Sequence, residues 1–223
     1  MGNIRRGKWH RNKIRANLTE LPASYYIQRG YSPQILDAYD VGFYKPQYRV
    51  VVPVYDDSGV MAVGFVKRSI FDKCEKCKTY HDPSQECPQQ NKQMFSKWRS
   101  SQDFHTRYHL YNLWNARKHI VESGTIILVE GPGDVWKCVE AGIHNVVGLF
   151  GCELHDPQIS LLESLWIMNI VVLLDDDDAG KRGKIKIMKS LSNIYNLYFP
   201  DMNGKDPGNM TRDELREIVR SIA

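Results

Sequence analysis

No apolar run in this sequence approaches the roughly twenty residues that span a bilayer, which argues against a membrane-embedded chain. No secretory leader is expected from these residues, and the first of them lack the serines and the apolar face of an organelle-import peptide. Cysteine is scarce. Five residues, an odd number without an export signal, argue against a disulfide framework and for reduced thiols or metal ligands, so a cytoplasmic setting is expected. Acids are missing from the first fifteen residues, which carry Arg5, Arg6, Lys8, Arg11, Lys13 and Arg15.

What is present suffices for a folded core. Hydrophobic residues make up 42% and charged residues 25% of 223 positions, which suits one large domain or two small ones joined. The net charge of +4 is concentrated in the first residues, and without those six cations the remainder stands at about −2. Residues 1–23 therefore read as a basic arm. Trp9 and His10 favour contact with nucleic-acid phosphates, while charge alone fits a solvated tail equally well.

Along the chain, Ser32-Pro33 starts a helix with Ile35, Leu36 and Tyr39 on one face, stopped by Gly42. Residues 49–55 and 60–66 read as strands around Asp56-Asp57-Ser58-Gly59, an antiparallel hairpin. Residues 72–91 are polar and aperiodic, an insertion. Leu110, Leu113, Trp114 and Val121 recur at helical spacing, and the helix ends at Ser123-Gly124. Beyond it strands and helices alternate: strands at 125–129, 145–149, 167–174 and 196–199, with helices between them and a last helix capped by Thr211 and Glu214. This pattern implies a parallel sheet covered by helices.

The acids follow the strands. Glu130 comes directly after Ile126-Ile127-Leu128-Val129, with Asp134 in the next helix. Asp175, Asp176, Asp177 and Asp178 come directly after Ile170-Val171-Val172-Leu173-Leu174, and Asp201 and Asp206 follow the last strand. Open parallel sheets bind ligands beyond the carboxyl ends of their strands. Acids crowded there repel one another unless cations sit among them, and oxygen donors suit Mg²⁺ or Mn²⁺. The bland alternative is a solvated acidic loop. Alternate residues of an extended segment share a face, so Asp175 and Asp177 are expected to converge and Asp176 and Asp178 to point elsewhere. Gly131-Pro132-Gly133 is not a dinucleotide-binding turn, since Glu130 would repel a pyrophosphate and Trp136 stands at the third glycine.

Glu130-Gly131 with Asp134, followed by Asp175 and Asp177 before Ala179-Gly180, resembles a TOPRIM domain, the fold shared by DnaG-type primases, topoisomerases, OLD-type nucleases and RecR proteins. Arg29-Gly30-Tyr31-Ser32, Gly42-Phe43, residues 49–53, Gly59, Val63-Gly64-Phe65 and Arg68 are similar to the subdomain preceding TOPRIM in DnaG-type primases. Leu110-Tyr111-Asn112-Leu113 and Gly204-Lys205-Asp206-Pro207 continue the resemblance, which covers most of residues 24–210. It implies an α/β fold: a TOPRIM-type parallel sheet at 124–223 with a C-terminal helix, preceded at 24–123 by a small α+β subdomain carrying the insertion. It further implies Glu130, Asp175 and Asp177 as catalytic acids and Mg²⁺ or Mn²⁺ ligands, with Asp134 and Asp206 beside them. Lys92, Lys97, Arg99 and Arg107, with Arg5, Arg6, Lys8 and Arg11 of the arm, are the expected nucleic-acid contacts. A compact stand-alone form of the sort phages and mobile elements encode is expected, acting in a cytoplasm or host cytoplasm, with a replicative helicase in trans and no membrane partner.

Within the insertion, Cys74, Cys77, His81 and Cys87 offer three thiolates and an imidazole, a donor set for tetrahedral Zn²⁺; the alternative is a flexible loop with incidental thiols. Cys138 and Cys152 are expected in the core. Three functions stay in view. The first is synthesis of short RNA primers on single-stranded DNA from ribonucleotides. The second is a TOPRIM nuclease, and the third a non-enzymatic RecR-like DNA-binding mediator.

Overall fold

The computed structural model describes residues 7–220. The chain divides into two compact units, Met1–Phe104 and His105–Ala223. Residues 105–123, which the sequence reading joined to the preceding subdomain, fall in the second unit.

The first unit holds β1 (Trp9–His10), α1 (Arg11–Asn17), α2 (Ser24–Ile27), α3 (Pro33–Ala38), β2 (Gly42–Tyr44), β3 (Arg49–Tyr55), β4 (Met61–Ser69) and β5 (Trp98–Ser100). The Ser32 hydroxyl caps α3 by accepting from the Ile35 N–H, with Pro33 in the first turn. β3 and β4 form the expected hairpin, longer in its second strand than the sequence suggested because pairing continues to Ser69. One edge of β4 pairs with β3, and its other edge pairs with β1 at Met61–Ala62 and with β5 at 66–68, all antiparallel.

The described part of the basic arm is built into this unit and is no tail. Ile14 is buried and the Trp9 ring lies 5.1 Å from that of Phe65. Asp40, fully buried, accepts from the Tyr55 hydroxyl at 2.6 Å and pairs with Arg11 Nε at 2.6 Å and with Arg15. A buried carboxylate needs such partners to remain charged. Arg11, expected on phosphate, is thus committed to a buried acid. Arg5 and Arg6 lie outside the described residues.

The second unit holds α4 (Leu113–Ser123), β6 (Thr125–Val129), α5 (Pro132–Glu140), β7 (Val146–Gly148), α6 (Asp156–Glu163), β8 (Asn169–Leu173), α7 (Asp178–Leu191), β9 (Asn196–Tyr198) and α8 (Arg212–Arg220). Its four strands are all parallel in the order β7-β6-β8-β9. Apolar runs bury β6 and β8 at the centre of the sheet. The buried side of α4 is Leu113, Ala116 and Ile120, and Val121 is 59% exposed, so the sequence reading chose the wrong neighbour for Ile120. No helix of the described residues is long and apolar enough to cross a membrane.

Candidate functional site

From β6 the chain turns outward to β7 on one side, then returns to β8 on the other side of β6. The crevice of such a sheet opens where the order reverses, beyond the carboxyl ends of the strands. Glu130 directly follows β6 and Asp175 stands just past β8. The Asp175 N–H donates to Glu130 Oε1 at 3.1 Å, so the two strand ends are tied side by side. Asp134, in the first turn of α5, reaches back to accept from the Gly131 N–H at 2.9 Å.

Asp177 caps α7, its Oδ1 accepting from the Gly180 N–H at 2.8 Å, and its charge favours the positive end of that helix. Gly180 has no room for a side chain, because a Cβ would run into the carbonyl oxygen of Asp175. That contact holds the start of α7 against the acid-bearing strand end. Asp176 turns to Lys184 Nζ at 3.7 Å, apart from the role of Asp177.

Electrostatics show which acids share a field. Burial first, then the charges of Asp175 and Asp177, push the Glu130 carboxyl up to about 7. Burial also pushes Asp134 up to about 7, helped by Asp175, Asp206 and Glu130. The charge of Asp206 thus bears on Asp134. The Asp206 oxygens also accept from the Asn209 N–H and side-chain amide at 2.8 and 2.7 Å, whereas Asp201 accepts from the Asn203 N–H in its own turn. Burial and mutual repulsion make Glu130 and Asp134 keep their protons more readily than free carboxyls, and carboxylate oxygens are donors of the type that suits a divalent cation. Two neighbours escaped sequence reasoning. Lys184 opposes the rise at Glu130, and the half-buried Cys152 thiol, expected in the core, is raised by burial and then by Glu130. Cys138 is fully buried as expected.

In the insertion, the ligand atoms of Cys74, Cys77, His81 and Cys87 all lie within 4.8 Å of one another. His81 is buried; its Nδ1 lies 2.8 Å from the Asp82 carbonyl, and its Nε2 has no hydrogen-bond partner in the protein. A buried ring nitrogen left unpaired is costly, and a carbonyl on Nδ1 with Nε2 aimed inward is the arrangement of a metal-bound imidazole. The Cys77 N–H, then His81, lower the Cys74 thiol to about 6, while the neighbouring sulfurs raise Cys87 to about 11. The cluster fits Zn²⁺. Arg49 fastens the following segment to the hairpin by donating to the carbonyls of Lys67, Met94 and Ser96.

Among the described residues, the expected phosphate-binding cations are divided between the two units. Exposed Lys92 and Lys97 lie in the segment after the cysteine cluster, and Arg99 lies in β5. Lys8 rests 5.9 Å from the centre of the Trp9 ring. Arg107, in the second unit, stacks on Tyr108 at 4.9 Å. A further group was missed: Arg29 lies 3.7 Å over Tyr25, and Arg68 lies 5.5 Å from Tyr25 and 5.9 Å from Trp98. The pairing of Arg68 with Trp98 across β4 and β5 makes this stack, and nothing local in sequence announces that long-range pairing.

The Toprim domain family matches residues 124–197. The DNA primase of Aquifex aeolicus is 31% identical over 190 residues, 81% of this chain and 34% of the relative. That of Staphylococcus epidermidis is 37% identical over 113 residues, 49% of this chain and 18% of the relative. The chain thus spans about a third or less of the length of these curated relatives. Among solved structures, the zinc-binding and RNA polymerase domains of the A. aeolicus primase match with a TM-score of 0.72 at 24% identity, over 94% of this chain and 59% of that one. A DnaG primase catalytic domain bound to single-stranded DNA matches with a TM-score of 0.68 at 19% identity, over 93% of this chain and 74% of that one. These likenesses establish the fold. With a Toprim domain at 124–197 and primase-related sequence over 81% of its length, the chain belongs with the TOPRIM-containing catalytic region of the DnaG-type primases.

Proposed function

We propose that this chain is a primase-type nucleotidyltransferase that joins ribonucleotides into short RNA primers on single-stranded DNA. The observation that supports the reading is the pair of bonds at the switch point of the sheet, from the Asp175 N–H to Glu130 and from the Gly131 N–H to Asp134, with Asp177 at the start of the adjoining helix. Glu130, Asp134, Asp175 and Asp177 would hold Mg²⁺ or Mn²⁺, with Asp206 beside them. When bound, such ions activate the attacking hydroxyl and neutralise charge on the departing pyrophosphate.

The chain's own residues do the positioning. The Asp175 N–H fixes Glu130 Oε1, which leaves Glu130 Oε2 to accept the proton of a primer hydroxyl. Asp134 is locked by the Gly131 N–H, and Asp177 by the Gly180 N–H, so neither carboxylate must be ordered when substrate arrives. In the first unit, Tyr25, Arg68 and Trp98 offer stacking and charge to a single strand. The primase relatives and the neighbour bound to single-stranded DNA support this choice of template. Cys74, Cys77, His81 and Cys87 would hold a structural Zn²⁺ that closes the insertion.

The test incubates pure protein, single-stranded DNA and labelled ribonucleotides with Mg²⁺ or Mn²⁺. Labelled oligomers with intact template support the reading. Template loss without oligomers would assign the same acids to a nuclease.

A further inference from the structure

One face of the first unit's sheet carries three cations in a row. Val51 pairs with Lys67 and Lys67 with Arg99, so Arg49 and Val51 of β3, Lys67 of β4 and Arg99 of β5 share that face. The Arg49 guanidinium is taken up by carbonyls. Lys67 donates to the neutral side chain of Gln47 at 3.0 Å, and Arg99 makes a long bond of 3.4 Å to the Met94 carbonyl. The charged groups that bear on Lys67 are Arg99 and Arg49, both cations. Burial, then Arg99 and Arg49, push the Lys67 ammonium down from its ordinary value. A bound anion would relieve that repulsion.

Lys67 also lines a groove of about 180 Å³. Its walls are the aliphatic chains of Ile14, Leu18 and Val51 and the rings of Trp9, Tyr44 and Phe65, with Lys13 and Asn17 completing the lining. The space suits one apolar side chain. A nucleobase carries several polar edge atoms, which these mostly apolar walls could meet at the side chains of Trp9, Asn17 and Tyr44 and at the lysine amines, and each edge atom left unpaired is costly. An aliphatic or aromatic side chain loses nothing there, and carboxylates beside it would meet Lys13, Lys67 and Arg99. We infer that this groove docks an acidic peptide segment of a partner protein, anchored by one apolar side chain.

The test measures fluorescence anisotropy of a labelled peptide of five aspartates ending in phenylalanine, titrated with the full chain. Saturable binding is expected, weakened about tenfold or more when the phenylalanine is replaced by alanine, and likewise by Lys67→Glu or Lys13→Glu. Lys13 is exposed, so Lys13→Glu tests the charge requirement even where Lys67→Glu disturbs the sheet. Absence of saturation below about 1 mM overturns the inference, as does binding indifferent to both the phenylalanine and the lysines. Binding of hexathymidylate that the same variants weaken, with no binding of the peptide, would also overturn it and make the groove a nucleic-acid site.

Discussion

The backbone N–H of Asp175 donates to the side chain of Glu130, so the ends of two neighbouring parallel strands are joined through the acid of one and the main chain of the other. The bond orients Glu130 through the main chain of Asp175 and not through its carboxylate. It also brings two residues 45 positions apart in sequence side by side.

Asp134 makes stability depend on pH when metal is absent. Its folded carboxyl stands at about 7, above the ordinary value, so the favourable contribution is complete in acid and is lost as pH rises from about 4 through 7. Metal-free protein should therefore unfold more easily at pH 8 than at pH 5. Asp134→Asn should raise the unfolding free energy at pH 8 by roughly 2–4 kcal/mol and leave it unchanged near pH 4. Denaturant titrations with chelator decide this; a wild type equally stable at both pH values contradicts it.

The cysteine cluster should carry about one Zn²⁺ per chain. Metal analysis of protein purified without chelator is expected to find it, and Cys74→Ser with Cys77→Ser to remove it while carboxylate-bound Mn²⁺ remains. The double variant should lose protease resistance first in residues 72–97. Zinc-free wild-type protein would end this assignment.

Removing residues 1–15 should unfold the first unit, because it strips both arginines from buried Asp40. A buried acid left unpaired costs roughly 3–5 kcal/mol. Arg15→Ala should lower the melting temperature in the same direction, and a deletion protein with unchanged melting would show that Asp40 finds other partners.

Single-stranded DNA binding should depend on the cation and aromatic stack. Trp98→Ala is expected to cost about tenfold in affinity, since stacking on one base contributes roughly 1–3 kcal/mol. Arg68→Ala should lower the log–log salt slope by roughly 0.7 if it meets one phosphate. Unchanged affinity and slope in both variants would remove the stack from the template path.

Much of this was legible because its signals are local. Apolar runs ending in acids placed Glu130 and Asp175 at strand ends, Ser32-Pro33 and Thr211 with Glu214 marked helix starts, and four metal-type ligands close in sequence converge in space. What escaped depends on long-range pairing. The fate of Arg11 was decided by Asp40, and the stacking of Arg68 by strand β5, which returns only after the insertion. Lys184 was hidden because a lysine in a basic helix reads as solvated until the turn between Asp175 and α7 brings it to Asp176. Val121 misled because helical spacing alone does not fix which side of a helix meets the sheet.

The central claim is that one acidic cluster performs nucleotidyl transfer, and ribonucleotide incorporation on single-stranded DNA by wild type and by Asp175→Asn tests it most directly. Asp175→Asn keeps the backbone N–H that holds Glu130, so the fold and the Glu130 contact are expected to persist while the carboxylate charge proposed to bind metal is lost. Incorporation by the wild type is expected to fall at least 100-fold in the variant, about 3 kcal/mol of transition-state stabilisation, with template intact in both. Undiminished incorporation by Asp175→Asn, or a wild type that degrades template and joins no ribonucleotides, would contradict the account.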